Sequence, residues 1–201
     1  MSSPTSEPVQ RDADVRDRIF SAALRCFSKK GYAATSLREI SEDAQTTKPM
    51  IYYYFGSKEG LYSSIVREIL EEMATAIVRD LPGEASPAEQ AIAYCRRYLD
   101  HFLHNEEIIA LVLRQVFGLG GVPMATFGEA LVDDVRKPLD DILQRGVELQ
   151  QFRQDDIDHC ATAITGILNM FILAHVFGGA EIDSEAPIHQ VSVYIAGLSI
   201  P

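Results

Sequence analysis

At 201 residues, 47% hydrophobic and 23% charged, the chain has an ordinary globular composition and can bury a sizeable core, as one large domain or two small ones. Its richest apolar stretch, Ala161 to Phe177, is too short for a membrane span and carries Thr162, Thr165, Asn169 and His175, so no membrane partner is expected. The net charge of −11 taken alone counts against nucleic acid, but its distribution points the other way. Residues 1–62 hold nine Lys/Arg against eight Asp/Glu, whereas 63–201 hold nine against 21. Between 15 and 58 the count is eight basic to four acidic, a mildly basic head on an acidic body. Phosphate binding is a local matter, and an acidic remainder discourages indiscriminate association. Cys26, Cys95 and Cys160 are scattered and odd in number. They read as buried thiols in a reducing cytoplasm rather than as disulfides or metal ligands.

Helical periodicity dominates and alternating strand patterns are absent, which makes the chain all-α. Residues 1–13 are polar and acidic and read as a disordered tail rather than a secretory signal. A first helix is predicted from Asp14 to Lys30, with Ile19, Ala22, Ala23, Cys26 and Phe27 as its buried stripe and Gly31 as its stop. Ser36 and Glu39 form a capping box that opens a short helix to Asp43. Thr47 caps a third helix to about Tyr53, with Pro49 tolerated in its first turn. Ser57 caps a long fourth helix, broken after Asp80 by Leu81-Pro82-Gly83. Ser86, Pro87 and Glu89 start a fifth that reaches His104. Asn105 to Phe117, Met124 to Leu149 with a kink at Pro138, Asp155 to Phe177, and Pro187 to Leu198 complete the set. The expected division is a head over 14–62 and a body over 63–201.

Two short helices joined by a three-residue junction have the proportions of a helix-turn-helix, whose second helix enters the major groove of double-stranded DNA. Ser36 and Arg38, at a positive helix end, can donate to phosphates. Thr47 and Lys48 open the reading helix, where a hydroxyl and an ammonium reach bases or phosphates. Pro49 and Met50 offer apolar surface to a thymine methyl, and Tyr52, Tyr53 and Tyr54 offer rings and phenol donors. Lys58, at the start of the next helix, is placed to clamp a phosphate. Ile40, Ala44, Ile51 and Phe55 form the seam that holds the unit on the first helix. The competing reading is a plain three-helix bundle in which at least one of the tyrosines packs.

The same stretch resembles the N-terminal domain of the tetracycline-repressor family. The resemblance rests on Ala22-Ala23, Phe27, Gly31-Tyr32, Thr35-Ser36, Ile40, Ala44, Tyr52-Tyr53-Tyr54-Phe55, Ser57-Lys58-Glu59 and Leu61, all in register over about a quarter of the chain. It implies an all-helical, homodimeric transcription regulator, usually a repressor, that a small molecule releases from a palindromic operator. It also implies that Ser36, Arg38, Thr47, Lys48, Pro49, Met50, Tyr52, Tyr53, Tyr54 and Lys58 occupy DNA-contacting positions. One departure stands out. The family's junction usually reads Ala-Gly-Val, and here it is Ala44-Gln45-Thr46. Glutamine costs about 1 kcal/mol in the left-handed conformation that glycine takes freely. The turn either adopts another geometry or carries that strain.

The body reads as a helical bundle for dimerisation and ligand binding. Small residues in the last two helices, Ala161, Ala163, Gly166, Ala196 and Gly197, permit close helix approach, and the resemblance places a four-helix dimer interface there. Polar groups inside apolar helices are the candidates for an unknown small-molecule effector: Arg114, Gln115, Thr165, Asn169 and His175, among Phe102, Phe117, Met124, Phe127, Met170 and Phe171. The competing reading makes each a satisfied core or interface group. His101 and His104, with Glu107 beyond, have metal-ligand spacing, but solvated surface residues explain them as well and no metal is expected. No cofactor is expected, and no catalytic motif such as G-x-S-x-G, a P-loop or His-Glu-x-x-His is present. An enzyme is therefore not expected. The alternative kept open is an ungated DNA-binding or architectural protein, although the acidic body over 63–201 favours a sensing domain.

Overall fold

The computed structural model describes residues 7–79, 81–106, 110, 111, 113, 130–181 and 183–200. The chain divides into two compact units, Met1–Ile69 with Ala110–Gly128, and Leu70–Ile109 with Glu129–Pro201.

The first unit begins with α1, Glu7–Ala34. The expected disordered tail through residue 13 is thus helical from Glu7 onward, with Pro8 in the first turn, where its missing N–H costs nothing. An Asp14–Arg18 pair one turn apart supports it at 3.8 Å. Gly31 interrupts the helix with φ 77 and ψ 168, a conformation that only glycine adopts without strain. The chain is then tied down by Thr35, whose hydroxyl donates to the carbonyls of Gly31 (2.8 Å) and Cys26 (3.1 Å).

Three helices follow: α2, Leu37–Asp43, α3, Lys48–Phe55, and α4, Lys58–Val78. Both α2 and α3 pack on α1 and on each other. Ile19, Ala22, Ala23, Phe27, Ile40, Ile51, Leu61 and Ile65 are fully buried, and Leu111 and Leu113 join the unit's buried residues. Of the expected seam, Ile40, Ala44 and Ile51 are buried. Phe55 is half-buried, with the Arg16 guanidinium 5.5 Å above its ring.

The second unit contains α5, Pro87–His104, α6, Ala130–Glu148, a 3-10 turn at Gln154–His159, α7, Cys160–Gly178, and α8, Glu185–Leu198. Helix α5 packs against α6, α7 and α8, α6 packs on α7, and α7 packs on α8. Pro138 lies inside α6, which runs unbroken across it. The helix expected at Asn105–Phe117 falls mostly outside the described residues.

The turn after α6 is closed by Phe152, which bridges to Ser199. Gly146 makes this possible, since a Cβ there would sit 2.1 Å from the Phe152 ring. By length and mean hydropathy (1.8) α7 could cross a membrane, contrary to the expectation that this stretch is too short. The helix takes in Cys160 and Gly178, which lengthens the apolar run. Its residues Cys160, Ala161, Ile164, Leu168 and Ile172 form a buried stripe against the other helices of its unit.

Candidate nucleic-acid interface

The junction between α2 and α3 shows how this chain does without glycine. Ala44 ends α2 in a helical conformation, and Gln45 then takes φ 50. The Thr46 N–H returns to the Ser41 carbonyl at 2.9 Å, and the Gln45 N–H to the Glu42 carbonyl at 3.2 Å. Gln45 therefore carries the left-handed strain rather than escaping it, and the two hydrogen bonds close the turn regardless.

At the start of α2 the expected capping box is complete. The Ser36 hydroxyl accepts from the Glu39 N–H at 3.2 Å, and the Glu39 carboxylate accepts from the Ser36 N–H at 2.9 Å. Glu39 also pairs with Lys30. The Lys30 ammonium, then the Ser36 backbone and hydroxyl donors, pull the Glu39 carboxyl from the usual 4.5 down to about 2. Ser36 thus commits its own N–H to Glu39, leaving the later N–H groups of the first turn for a phosphate. Arg38 is exposed and paired with Glu42 at 2.8 Å, so a phosphate must compete with that carboxylate.

Helix α3 is anchored by one fully buried residue, Ile51, and presents nearly everything else. Thr47, Lys48 and Pro49 are exposed, Met50 is half-buried, and Tyr52 and Tyr53 are 53% and 75% exposed. The Thr47 hydroxyl makes no capping bond. Tyr54 is half-buried and meets Tyr53 edge-on at 5.0 Å. Two of the three tyrosines are therefore offered to a partner, while the third packs in part. A large, exposed aromatic pair costs solvation unless something covers it.

The cations of the head sort into two groups. Arg16, Arg18, Arg25, Lys30 and Arg38 each pair with a carboxylate. Lys29, Lys48 and Lys58 pair with none among the described residues. Lys48 and Lys58 begin α3 and α4, so two ammonium groups without a salt bridge bracket the tyrosine helix. The Lys58 ammonium rests 4.3 Å from the centre of the Tyr32 ring, and burial pushes its pKa down.

The profile of the family described as bacterial regulatory proteins of the tetR family matches residues 19–65, the stretch just built. The repressor KstR2 of Mycolicibacterium smegmatis is 27% identical over 154 residues, 76% of this chain and 73% of that one. Over residues 19–65 the chain carries the N-terminal domain of the tetracycline-repressor family. Among solved structures of the family, PfmR from Thermus thermophilus superimposes with a TM-score of 0.67 at 26% identity, covering 89% of this chain and 97% of that one. FadR from Bacillus subtilis, crystallised in complex with stearoyl-CoA, superimposes with a TM-score of 0.74 at 19% identity, covering 89% and 96%. The matched stretch is the helix-turn-helix domain just described, and the relatives it is similar to are named transcriptional repressors and regulators.

In the second unit, α5 carries Tyr94, Tyr98 and Phe102 at successive turns, all buried. The Tyr94 hydroxyl donates to the Val135 carbonyl at 2.7 Å, and the Tyr98 hydroxyl to the Asn169 side-chain oxygen at 2.6 Å. Burial drives both phenols well above their usual pKa. Phe102 meets His175 edge-on at 6.2 Å, while His175 Nδ1 donates to the Ala180 carbonyl at 2.6 Å and Nε2 lies 3.4 Å from Glu106. Of the expected ligand residues, Phe102, Asn169 and His175 therefore share one aromatic seam.

Met170 is 66% exposed and stands apart from that seam. Arg114, Phe117, Met124 and Phe127 lie outside the described residues, as do Gln115 and Glu107. A separate open groove of about 500 Å³ is lined by Ala76, Ala93, Arg97, Asp100, His101 and His104 among others. It contains none of the ligand candidates. His104 Nδ1 in that groove is committed to the Asp100 carbonyl at 2.7 Å.

Sequence reasoning missed Lys29, Tyr32, Tyr94 and Tyr98. The i, i+4, i+8 spacing of Tyr94, Tyr98 and Phe102 was legible as a stripe. The contacts of Tyr32 and Tyr98, made across 26 and 71 residues, carried no local signal.

Proposed function

We propose that the protein is a homodimeric, cytoplasmic repressor that reads a palindromic operator through α2 and α3 and is released when a small molecule binds its body. The observation that carries this reading is the exposed face of α3. Thr47, Lys48, Pro49, Tyr52 and Tyr53 are uncovered, and the two lysines at its borders form no salt bridge among the described residues. Ser36 and Arg38 would meet the phosphate backbone on one side and Lys58 on the other, with Met50 and Tyr54 at the edges of the reading surface. Residues 14–62 serve as the reading head and 63–201 as the sensing and dimerising body.

Two half-sites about 34 Å apart need two linked heads. Met170, Phe177 and Val193 on α7 and α8 are 45–66% exposed, and large apolar side chains in such a state favour a second subunit. Met170, expected among the ligand residues, fits that subunit contact better. The effector would sit against Tyr98, Phe102, Asn169 and His175, where aromatic surface and a few polar groups converge. The stearoyl-CoA complex of FadR supports a small-molecule effector for this fold and does not name the one used here.

The test is to select binding sites from random duplex DNA and then screen metabolites against the complex. The expected outcome is an inverted repeat, together with a compound that raises the melting temperature and weakens operator binding at once. An inverted repeat with no compound coupling the two effects would favour the ungated regulator instead.

A further inference from the structure

We propose that Tyr32 is the positioning residue for Lys58, its ring serving as a platform that holds the lysine ammonium ready for a DNA phosphate. The inference rests on the reading of Lys58 as a phosphate contact. Lys58 is the first residue of α4, directly after its Ser57 cap. A cation at that end is disfavoured by the helix dipole, and no carboxylate among the described residues forms a salt bridge with it, Glu39 acting on it only through space. Half-burial disfavours the charge further. Besides the charge of Glu39, what compensates in direct contact is the face of Tyr32, 4.3 Å from ammonium to ring centre, within the range of a cation–π contact.

The platform is rigid because it is backed by buried aromatics. Tyr32 stacks on Phe27 at 5.9 Å and meets Tyr62 edge-on at 5.1 Å, and these two meet each other at 5.0 Å. Phe27 and Tyr62 are essentially inaccessible. The turn that delivers Tyr32 to this position depends on Gly31 at φ 77 and on the Thr35 hydroxyl bonded to the Gly31 carbonyl. An unpaired lysine on a fixed ring keeps its charge available while losing part of its rotamer freedom before binding, which lowers the entropy lost when it meets DNA.

The experiment measures operator affinity of the full-length protein between 50 and 200 mM salt for Tyr32→Phe, Tyr32→Leu, Lys58→Ala and the Tyr32→Leu/Lys58→Ala double variant. Lys58→Ala should weaken binding and reduce the salt slope by about one per protomer. Tyr32→Leu should weaken binding about 3- to 10-fold, the size expected when one lysine per protomer must again be ordered on binding. Tyr32→Phe, which keeps the ring, should stay within about two-fold of the parent. The double variant should lose no more than Lys58→Ala alone, a non-additivity that general damage to the head would not produce.

Additive losses, or a Tyr32→Phe variant as weak as Tyr32→Leu, overturn the platform while leaving the Lys58 contact standing. A Lys58→Ala variant with unchanged affinity and slope sinks that contact and the platform with it. Should Tyr32→Leu fail to fold, the ε-methylene protons of Lys58 in the unmodified protein report directly. An upfield ring-current shift is expected, and an ordinary lysine shift overturns the proposal.

Discussion

Gln45 is where this chain departs most visibly from its family, and the cost is local. At φ 50 its side chain crowds the backbone, so Gln45→Gly should raise stability by about 0.5–1 kcal/mol, the strain relieved less the entropy that glycine loses. Denaturant midpoints of the two proteins measure this, and a destabilised glycine variant would show that the turn is not strained. Glu39 makes a second prediction at this scale. Its carboxyl is held near 2 by Lys30 and Ser36, so its contribution is complete above the ordinary carboxylate range and is lost as pH falls through about 4 towards 2. Glu39→Gln should therefore melt below the parent at neutral pH, with the gap closing as the solution is acidified. A gap that stays constant with pH would assign the effect to packing instead of charge.

Elements with chemical punctuation at their ends were readable in advance. Ser36 with Glu39 and Ser86 with Glu89 form the two capping boxes that the spacing indicated, each with both bonds made. Gly31 breaks α1, and Pro87 lies in the first turn of α5. These succeed because a cap is a local agreement between residues three apart. Ser6, Glu7 and Pro8 are start signals that the reading of the polar run as a tail passed over. Where no such agreement exists, the sequence was silent. No capping residue separates the 3-10 turn from α7, so the periodicity alone reads the two as one helix.

The site divides in the same way. The exposed face of α3 could be read from polarity and spacing. The aromatic platform under Lys58 and the Tyr98–Asn169 pair depend on which helices meet, and that is settled by packing. Gly146 belongs with these long-range determinants. A Cβ there would meet Phe152 at 2.1 Å, so Gly146→Ala should cost about 1–3 kcal/mol through overpacking of a buried ring. Thermal unfolding would show this as a lowered midpoint, and an unchanged midpoint would mean that the turn simply shifts.

For the whole molecule, charge is partitioned by task. On the proposed reading the acidic body would keep the protein off DNA at large, while in the head Arg16, Arg18, Arg25, Lys30 and Arg38 form salt bridges and Lys29, Lys48 and Lys58 form none among the described residues. Specific binding then depends on α3 being presented twice with the right spacing, which ties recognition to dimer formation. The central claim is that α3 reads the operator, and a gel-shift titration of the Lys48→Ala/Tyr52→Ala variant against the selected operator tests it most directly, with dimer content verified by sedimentation. The account predicts an intact dimer that no longer binds the operator. Unchanged affinity in an intact dimer would contradict it.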